Sequence, residues 1–282
     1  MQIHEIKDAS GRLTMVTLSQ SPGSSVTVNL YGATVTSWKS QNKEKLFLSS
    51  LAKLDGSKPV RGGIPLVFPQ FGPGALPQHG FARTSWWTLA ETHEHGEAAV
   101  ASFVLRDTEE TRASKWPYKF VLTYTVNLTS TTLSTIMRYE NVDGVPFEFT
   151  SLMHTYLRVS DIAKTRVTGL SGLQYVDKVK GVRAQEDREE VTVDANEDRV
   201  YEKVPGDVAV WCEGAGVEVK RFNFEDVVFW NPWADKAREM SDFGDEEYKE
   251  MVCVEAGTVT NKISLKPGQA VTCGQLLTAK NA

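Results

Sequence analysis

Apolar and polar residues alternate along most of this chain, with the period of two that sends strand side chains to opposite faces. Segments 25–30, 34–38, 45–49, 98–105, 120–127, 133–139 and 147–159 read as strands. So do 207–211, 217–222, 227–230, 251–255, 262–265 and 270–277. Turn pairs punctuate them at Asp143-Gly144, Pro205-Gly206 and Pro267-Gly268. Helical periodicity is scarce: 234–240 predicts two turns after Pro232, and the acidic stretch 242–250 has no single period. No linker or internal repeat interrupts the spacing, and the charged segment 181–196 reads as solvated. The pattern predicts one domain over residues 1–282, all-β, a large antiparallel β-sandwich.

One segment breaks the alternation. Between Arg61 and Arg83, Pro65, Pro69, Pro73 and Pro77 recur every fourth residue, which would stack them on one helix face. Each interior proline removes a donor and costs a helix about 3 kcal/mol, so this is a loop. Val67, Phe68, Phe71 and Phe81 give it something to bury, so the loop reads as ordered. Ordered loops of this length in compact domains are commonly functional.

Composition narrows the partners. The chain is 41% hydrophobic and 24% charged, enough apolar material for a sizeable core. Its 31 basic and 36 acidic residues leave a net charge of −5, with no basic run. That argues against nucleic acid and acidic membranes as partners. Two arginines in one loop of an acidic protein point instead to a small anion, because guanidinium holds phosphate or carboxylate bidentately. Bracing of irregular backbone is the alternative role. Cys212, Cys253 and Cys273 are too few and scattered for a disulfide framework or a zinc knuckle. With no window resembling a signal peptide or membrane span, a cytoplasmic protein is expected.

Several residues carry candidate chemistry. His154 shares a strand face with Leu152 and Tyr156. It is either a half-buried histidine tied to a neighbour or a general acid, since imidazole titrates nearest neutrality. Glu255 ends the apolar run Met251-Val252-Cys253-Val254. It either pairs with a cation or stands ready as a base. Cys253, on the same face, matches no nucleophile motif and reads as packing. Asp198 follows a polar run and reads as a loop carboxylate unless the fold gives it a partner. Gln78 and His79 either bond sugar hydroxyls or satisfy the loop itself. Tryptophan faces suit sugars, and Trp233 in Asn231-Pro232-Trp233 is the most site-like. His93 and His95 alternate without companions that would make a metal site. Nucleotide-binding and metalloprotease motifs are lacking, so neither cofactor nor metal is expected.

Taken in order, these residues resemble one family. They are Arg61-Gly62-Gly63-Ile64-Pro65, Phe68-Pro69-Gln70-Phe71-Gly72, Gln78-His79-Gly80-Phe81-Ala82-Arg83, Leu152-Met153-His154-Thr155-Tyr156, Asp198-Arg199-Val200-Tyr201, Val228-Phe229-Trp230-Asn231-Pro232-Trp233 and Val252-Cys253-Val254-Glu255. The series is similar to the hexose-6-phosphate mutarotases (glucose-6-phosphate 1-epimerases), a branch of the aldose 1-epimerase superfamily. The resemblance spans nearly the whole chain. It implies a galactose-mutarotase-like supersandwich that interconverts the α and β anomers of a hexose 6-phosphate with no cofactor; a monomer is expected. It implies His154 as general acid and Glu255 as general base, with Arg61, Gln78, Arg83 and Asp198 binding substrate. His79 and Trp233 stand as further sugar contacts. Two alternatives remain open at this point. One is a glycoside hydrolase using Glu255 and Asp198, which leaves His154 without a task. The other is a sugar-phosphate sensor or carbohydrate-binding module with little turnover.

Overall fold

The alternation resolves into three antiparallel sheets in the computed structural model, which describes residues 2–281. A five-stranded meander runs in sequence order through Gln2–Lys7, Leu13–Ser21, Ser24–Asn29, Thr34–Ser40 and Lys43–Glu44. A backing sheet orders Arg166–Thr168, Val208–Cys212, Ala215–Phe222, Ala270–Asn281, Thr132–Asn141, Phe120–Leu128, Ala98–Arg106 and Thr88–His95. A site sheet orders Val182–Gln185, Gln174–Asp177, Glu197–Tyr201, Asp226–Asn231, Met251–Leu265, Phe147–Met153 and Leu66–Val67. Beside these, Tyr156–Arg158 also pairs with Met251–Leu265. The all-β sandwich expected from the pattern is the architecture observed.

The backing and site sheets meet across one core. Phe103, Leu122 and Tyr124 from the first share it with Phe149, Phe229 and Val254 from the second. Polar pairs inside it are satisfied across the sheets: Tyr139 Oη and Ser151 Oγ lie 2.6 Å apart, and Thr135 Oγ1 donates to Met153 Sδ at 3.2 Å. On the site sheet the two-residue period divides labour. Val227, Phe229, Val252 and Val254 face this core, whereas Val228, Trp230 and Cys253 belong to smaller clusters on the opposite face. Register places Glu255 opposite Val228 and Cys253 opposite Trp230 on that outer face. Residues 251–258 are therefore buried on both sides, which explains their apolar run.

The structure corrects several boundaries. Segment 45–49 forms only isolated bridges, Leu46 with Leu157 and Leu48 with Gly62. Segments 251–255 and 262–265 are one strand, so Glu255 lies inside it rather than at its end. Segment 181–196 is not simply solvated. It contains the strand Val182–Gln185 and buries Glu186, Val191 and Val193, with the Glu186 carboxylate held by Arg188, Arg199 and Tyr201. The helix predicted at 234–240 forms as Trp233–Glu239. Strand 147–159 breaks at His154 and Thr155, because loop 61–83 supplies the pairing there: His154 N–H donates to Pro65 O and Tyr156 N–H to Gly63 O, both at 2.9 Å.

That loop is ordered as expected. Its Leu66–Val67 pairs with Met153 and Leu152, and Phe68 is buried against Trp116 and Phe149, with ring centroids 5.2 and 5.1 Å away. Gly63 has φ +66°, and a Cβ there would stand 2.0 Å from Val35 O. Gly63→Ala is thus expected to cost at least about 2 kcal/mol, from left-handed strain plus displaced backbone. Urea denaturation reads this directly, and an unchanged midpoint would refute the close-approach argument. Among the described residues no helix is long and apolar enough to cross a membrane.

Candidate active site

Arg61, Gln78, His79, His154, Asp198 and Glu255 come together around one cavity of about 320 Å³. Their sources are scattered. Loop 61–83 carries the first three, the break after Phe147–Met153 carries His154, and neighbouring strands of the site sheet carry Asp198 and Glu255. Small-molecule sites usually span about 300–1,000 Å³, so this cavity suits a compact ligand. Larger clefts of about 410 and 640 Å³ lie beside Cys212 and beside Gln20, but neither holds a buried acid–base pair.

The centre is the contact of His154 with Glu255. Nδ1 lies 3.3 Å from Oε1, with the carboxylate 1% and the imidazole 11% exposed. The approach does not make a hydrogen bond, which leaves His154 Nδ1 buried without a partner, and Glu255 Oε2, the other carboxylate oxygen, is likewise buried without one. The imidazole is clamped by aromatic rings. Tyr156 stacks on it at 4.7 Å and 12°, while His79 and Trp230 meet it edge-on at 5.9 Å. Tyr156 is fixed in turn, accepting from Arg61 Nη1 at 3.2 Å, and Arg61 Nε donates to Asp242 Oδ1 at 3.2 Å.

Burial dominates the electrostatics. It pushes Glu255 well above the usual carboxylate range, helped by the Asp198 charge and opposed by Lys178 and Arg83. Burial likewise holds His154 well below the usual imidazole range, and His79, Arg83 and Arg61 push the same way. Desolvation disfavours both charges, so burial favours the neutral form of the pair, with the proton on Glu255. Asp198 is raised, mainly by burial, despite Lys178 Nζ at 3.5 Å.

His79 is a neutral donor. Burial and the nearby cations push it down to about 3. Its backbone is left-handed at φ +68°, a strained setting held by its N–H to Gly72 O and by Gly72 N–H to its Nδ1. Because Nδ1 accepts that bond, the ring proton resides on Nε2.

Two candidates are placed differently. Arg83 is absent from the cavity wall. Its Nη2 donates to Gln78 O at 2.7 Å, bracing the backbone that presents Gln78. Trp233 also leaves the wall, turning its ring onto Tyr248 at 5.2 Å, while Trp230 lines the cavity. Strand alternation aims Trp230 outward, whereas Trp233 has already entered the helix.

Comparison with known proteins agrees with this geometry. The sequence model of the family described as Aldose 1-epimerase matches residues 14–278. The chain belongs to the aldose 1-epimerase family. A Cenchrus ciliaris relative, provisionally named glucose-6-phosphate 1-epimerase, is 39% identical over 277 residues, covering 94% of this chain and 84% of its own. An Escherichia coli K12 relative with the same provisional name is 36% identical over 234 residues, 80% of this chain and 77% of its own. The crystal structure of a protein provisionally named a mutarotase from Salmonella typhimurium superposes with a TM-score of 0.89 at 26% identity, covering 99% and 97% of the two chains. As an aldose 1-epimerase the protein is an enzyme of the mutarotase type, which sets aside the hydrolase and sensor alternatives.

This aldose 1-epimerase site also contains residues that sequence reasoning missed: Phe71, Lys178, Lys236 and Met240 line the cavity. Lys178 sits 4.8 Å over the Phe71 ring as well as beside Asp198. Nothing local marks these lysines, since isolated lysines near strand ends and on short helices are usually solvated. Phe71, in the quoted loop motif, was the one legible signal.

Proposed function

We propose that the enzyme interconverts the α and β anomers of hexose 6-phosphates, glucose 6-phosphate first among them. The observation that carries this reading is the buried His154–Glu255 pair, facing a cavity ringed by Arg61, Lys178 and Lys236. The names of the relatives from Cenchrus ciliaris and Escherichia coli support the same substrate class.

Glu255 takes the proton from the anomeric hydroxyl while His154 gives one to the ring oxygen. The C1–O5 bond breaks, C1 becomes an aldehyde, rotation about C1–C2 exposes its other face, and closure reverses both transfers. The ready form, carboxylate with imidazolium, differs from the neutral pair by one proton shift between the two groups. The pair holds one proton before and after ring opening, so no solvent proton is required. Positioned groups of this kind each contribute about 10²–10⁴-fold. Asp198, Gln78 and the His79 Nε2–H orient the hydroxyls.

The phosphate meets the cationic side. Lys236 pairs with Glu239 at 2.7 Å on an exposed helix face, and Lys178 pairs with the partly buried Asp198 and lies over the Phe71 ring. Such pairs are weak, so both lysines can turn toward a dianion at small cost. Arg61 adds charge, and Arg83 acts as the brace behind Gln78. The phosphate then anchors the substrate while the aldehyde end rotates. A cytoplasmic location fits three unpaired buried cysteines, and a single domain fits a contiguous core reaching from Val16 to Leu277.

Polarimetry with glucose and glucose 6-phosphate tests the substrate class. The phosphorylated sugar is expected to turn over with at least a tenfold higher kcat/KM. Lys178→Met should raise KM for the phosphate sugar about tenfold with kcat nearly kept, because remote binding is lost. Equal turnover of both sugars would refute the phosphate reading.

A further inference from the structure

The acid–base pair has a third neighbour that the reaction does not use. His154, Cys253 and Glu255 each present one donor atom such that all three atoms lie within 4.8 Å of one another. Cys253 is wholly buried, its register partner is Trp230, and it lies on the outer face with Glu255. Two of the polar atoms in this cluster, His154 Nδ1 and Glu255 Oε2, have no hydrogen-bond partner.

We propose that His154, Cys253 and Glu255 form a latent site for a thiophilic divalent cation, Zn²⁺ above all, whose binding switches the enzyme off. The inhibitory part rests on the mutarotase reading above; the binding part does not.

The geometry is close to what zinc needs. Zinc bonds of about 2.0–2.3 Å in a tetrahedron set donor atoms roughly 3.3–3.7 Å apart. The 3.3 Å His154–Glu255 edge already has that spacing, and the edges to sulfur are at most about 1.3 Å too long. Three protein donors leave the fourth position toward the cavity, which His154 and Glu255 both line. The donor set selects the metal: imidazole and thiolate favour zinc and its soft relatives, whereas Mg²⁺ and Ca²⁺ want oxygen shells. The surroundings are mixed in charge. Asp198 favours a cation near Glu255 and Cys253, while Lys178, Arg83 and Arg61 oppose one. Coordination requires thiolate, carboxylate and neutral imidazole, so binding releases one proton from Cys253 and one from the His154–Glu255 pair. The metal then occupies both the base and the acid. Inhibition follows directly, and hexose 6-phosphate and metal should exclude each other.

Untagged wild-type protein is titrated with Co²⁺ as a spectroscopic probe and, separately, assayed with Zn²⁺ and with Mg²⁺. The proposal expects a thiolate-to-cobalt charge-transfer band in wild type. The band should vanish in Cys253→Ala and Cys253→Ser but persist in Cys212→Ala, which removes a thiol far from the site. It also expects Zn²⁺, not Mg²⁺, to inhibit competitively, with the half-inhibitory concentration raised at least tenfold in either Cys253 variant while metal-free activity is kept. No band in wild type, or a band that survives loss of Cys253, would overturn the site. Activation by Zn²⁺, or equal Zn²⁺ sensitivity in the Cys253 variants, would overturn the switch. Because the cobalt band is read without substrate, its failure is distinguishable from a failure of the mutarotase assignment.

Discussion

Glu255→Gln is expected to lower kcat for anomer interconversion by about 10²–10⁴-fold, measured above the spontaneous rate, with KM nearly unchanged. The replacement is nearly isosteric, and burial favours the neutral carboxyl, so the amide should enter the same buried position at little cost to the fold. What disappears is the ability to accept the proton from the anomeric hydroxyl. His154→Gln removes the complementary donor and should fall in the same range. On the proposed mechanism the two act as one proton-exchanging unit, so the double variant is expected to lie within about tenfold of the worse single variant. Full multiplicative loss would mean that the groups act independently. Retention of wild-type kcat in Glu255→Gln would remove Glu255 from the mechanism altogether.

The second large effect is on stability against pH. Glu255 is raised above its ordinary value of 4.5, so its contribution is present below pH 4.5 and lost as pH rises. His154 is depressed below 6.5, so its contribution is present above pH 6.5 and lost as pH falls. Between these values the two slopes oppose each other, because the folded and unfolded pairs each hold one proton. The pair therefore contributes a plateau from about pH 4.5 to 6.5, with losses of up to about 1.4 kcal/mol per pH unit on either side. Removing one member tilts the plateau. Relative to wild type, Glu255→Gln should gain stability steadily as pH rises and lose the alkaline decline. His154→Gln should gain it as pH falls below 6.5. Urea midpoints from pH 4 to 9 read this out, and parallel curves for wild type and Glu255→Gln would show that burial does not hold the carboxyl neutral.

The same comparison separates what local sequence carries from what it does not. Strands with one face on the core, such as Phe120–Leu128 and Thr132–Asn141, were legible because alternation there reports a single buried face. Glu197–Tyr201 was not, since it buries Glu197 and Arg199 as an ion pair, and charged residues in a strand mask the period. Glu255 was misplaced at a strand end because a carboxylate normally terminates an apolar run. Here the strand passes beneath the cavity and continues. Trp233 and Arg83 show the limit at the site itself. Both belong to motifs beside the cavity, yet backbone direction turns one onto Tyr248 and the other behind Gln78.

By itself the sequence determined the all-β class and the family, and it pointed to the loop that walls the site and to His154 and Glu255 as the candidate acid and base. These follow from residue type and short-range order, which the chain carries locally. Only the tertiary structure decided that His154 touches Glu255, that Lys178 and Lys236 line the cavity, and that Cys253 lies within 4.8 Å of that pair. It also set the direction in which each member of the pair is shifted. Burial and neighbouring charge govern that property, and both arise when strands distant in the chain become adjacent in a sheet.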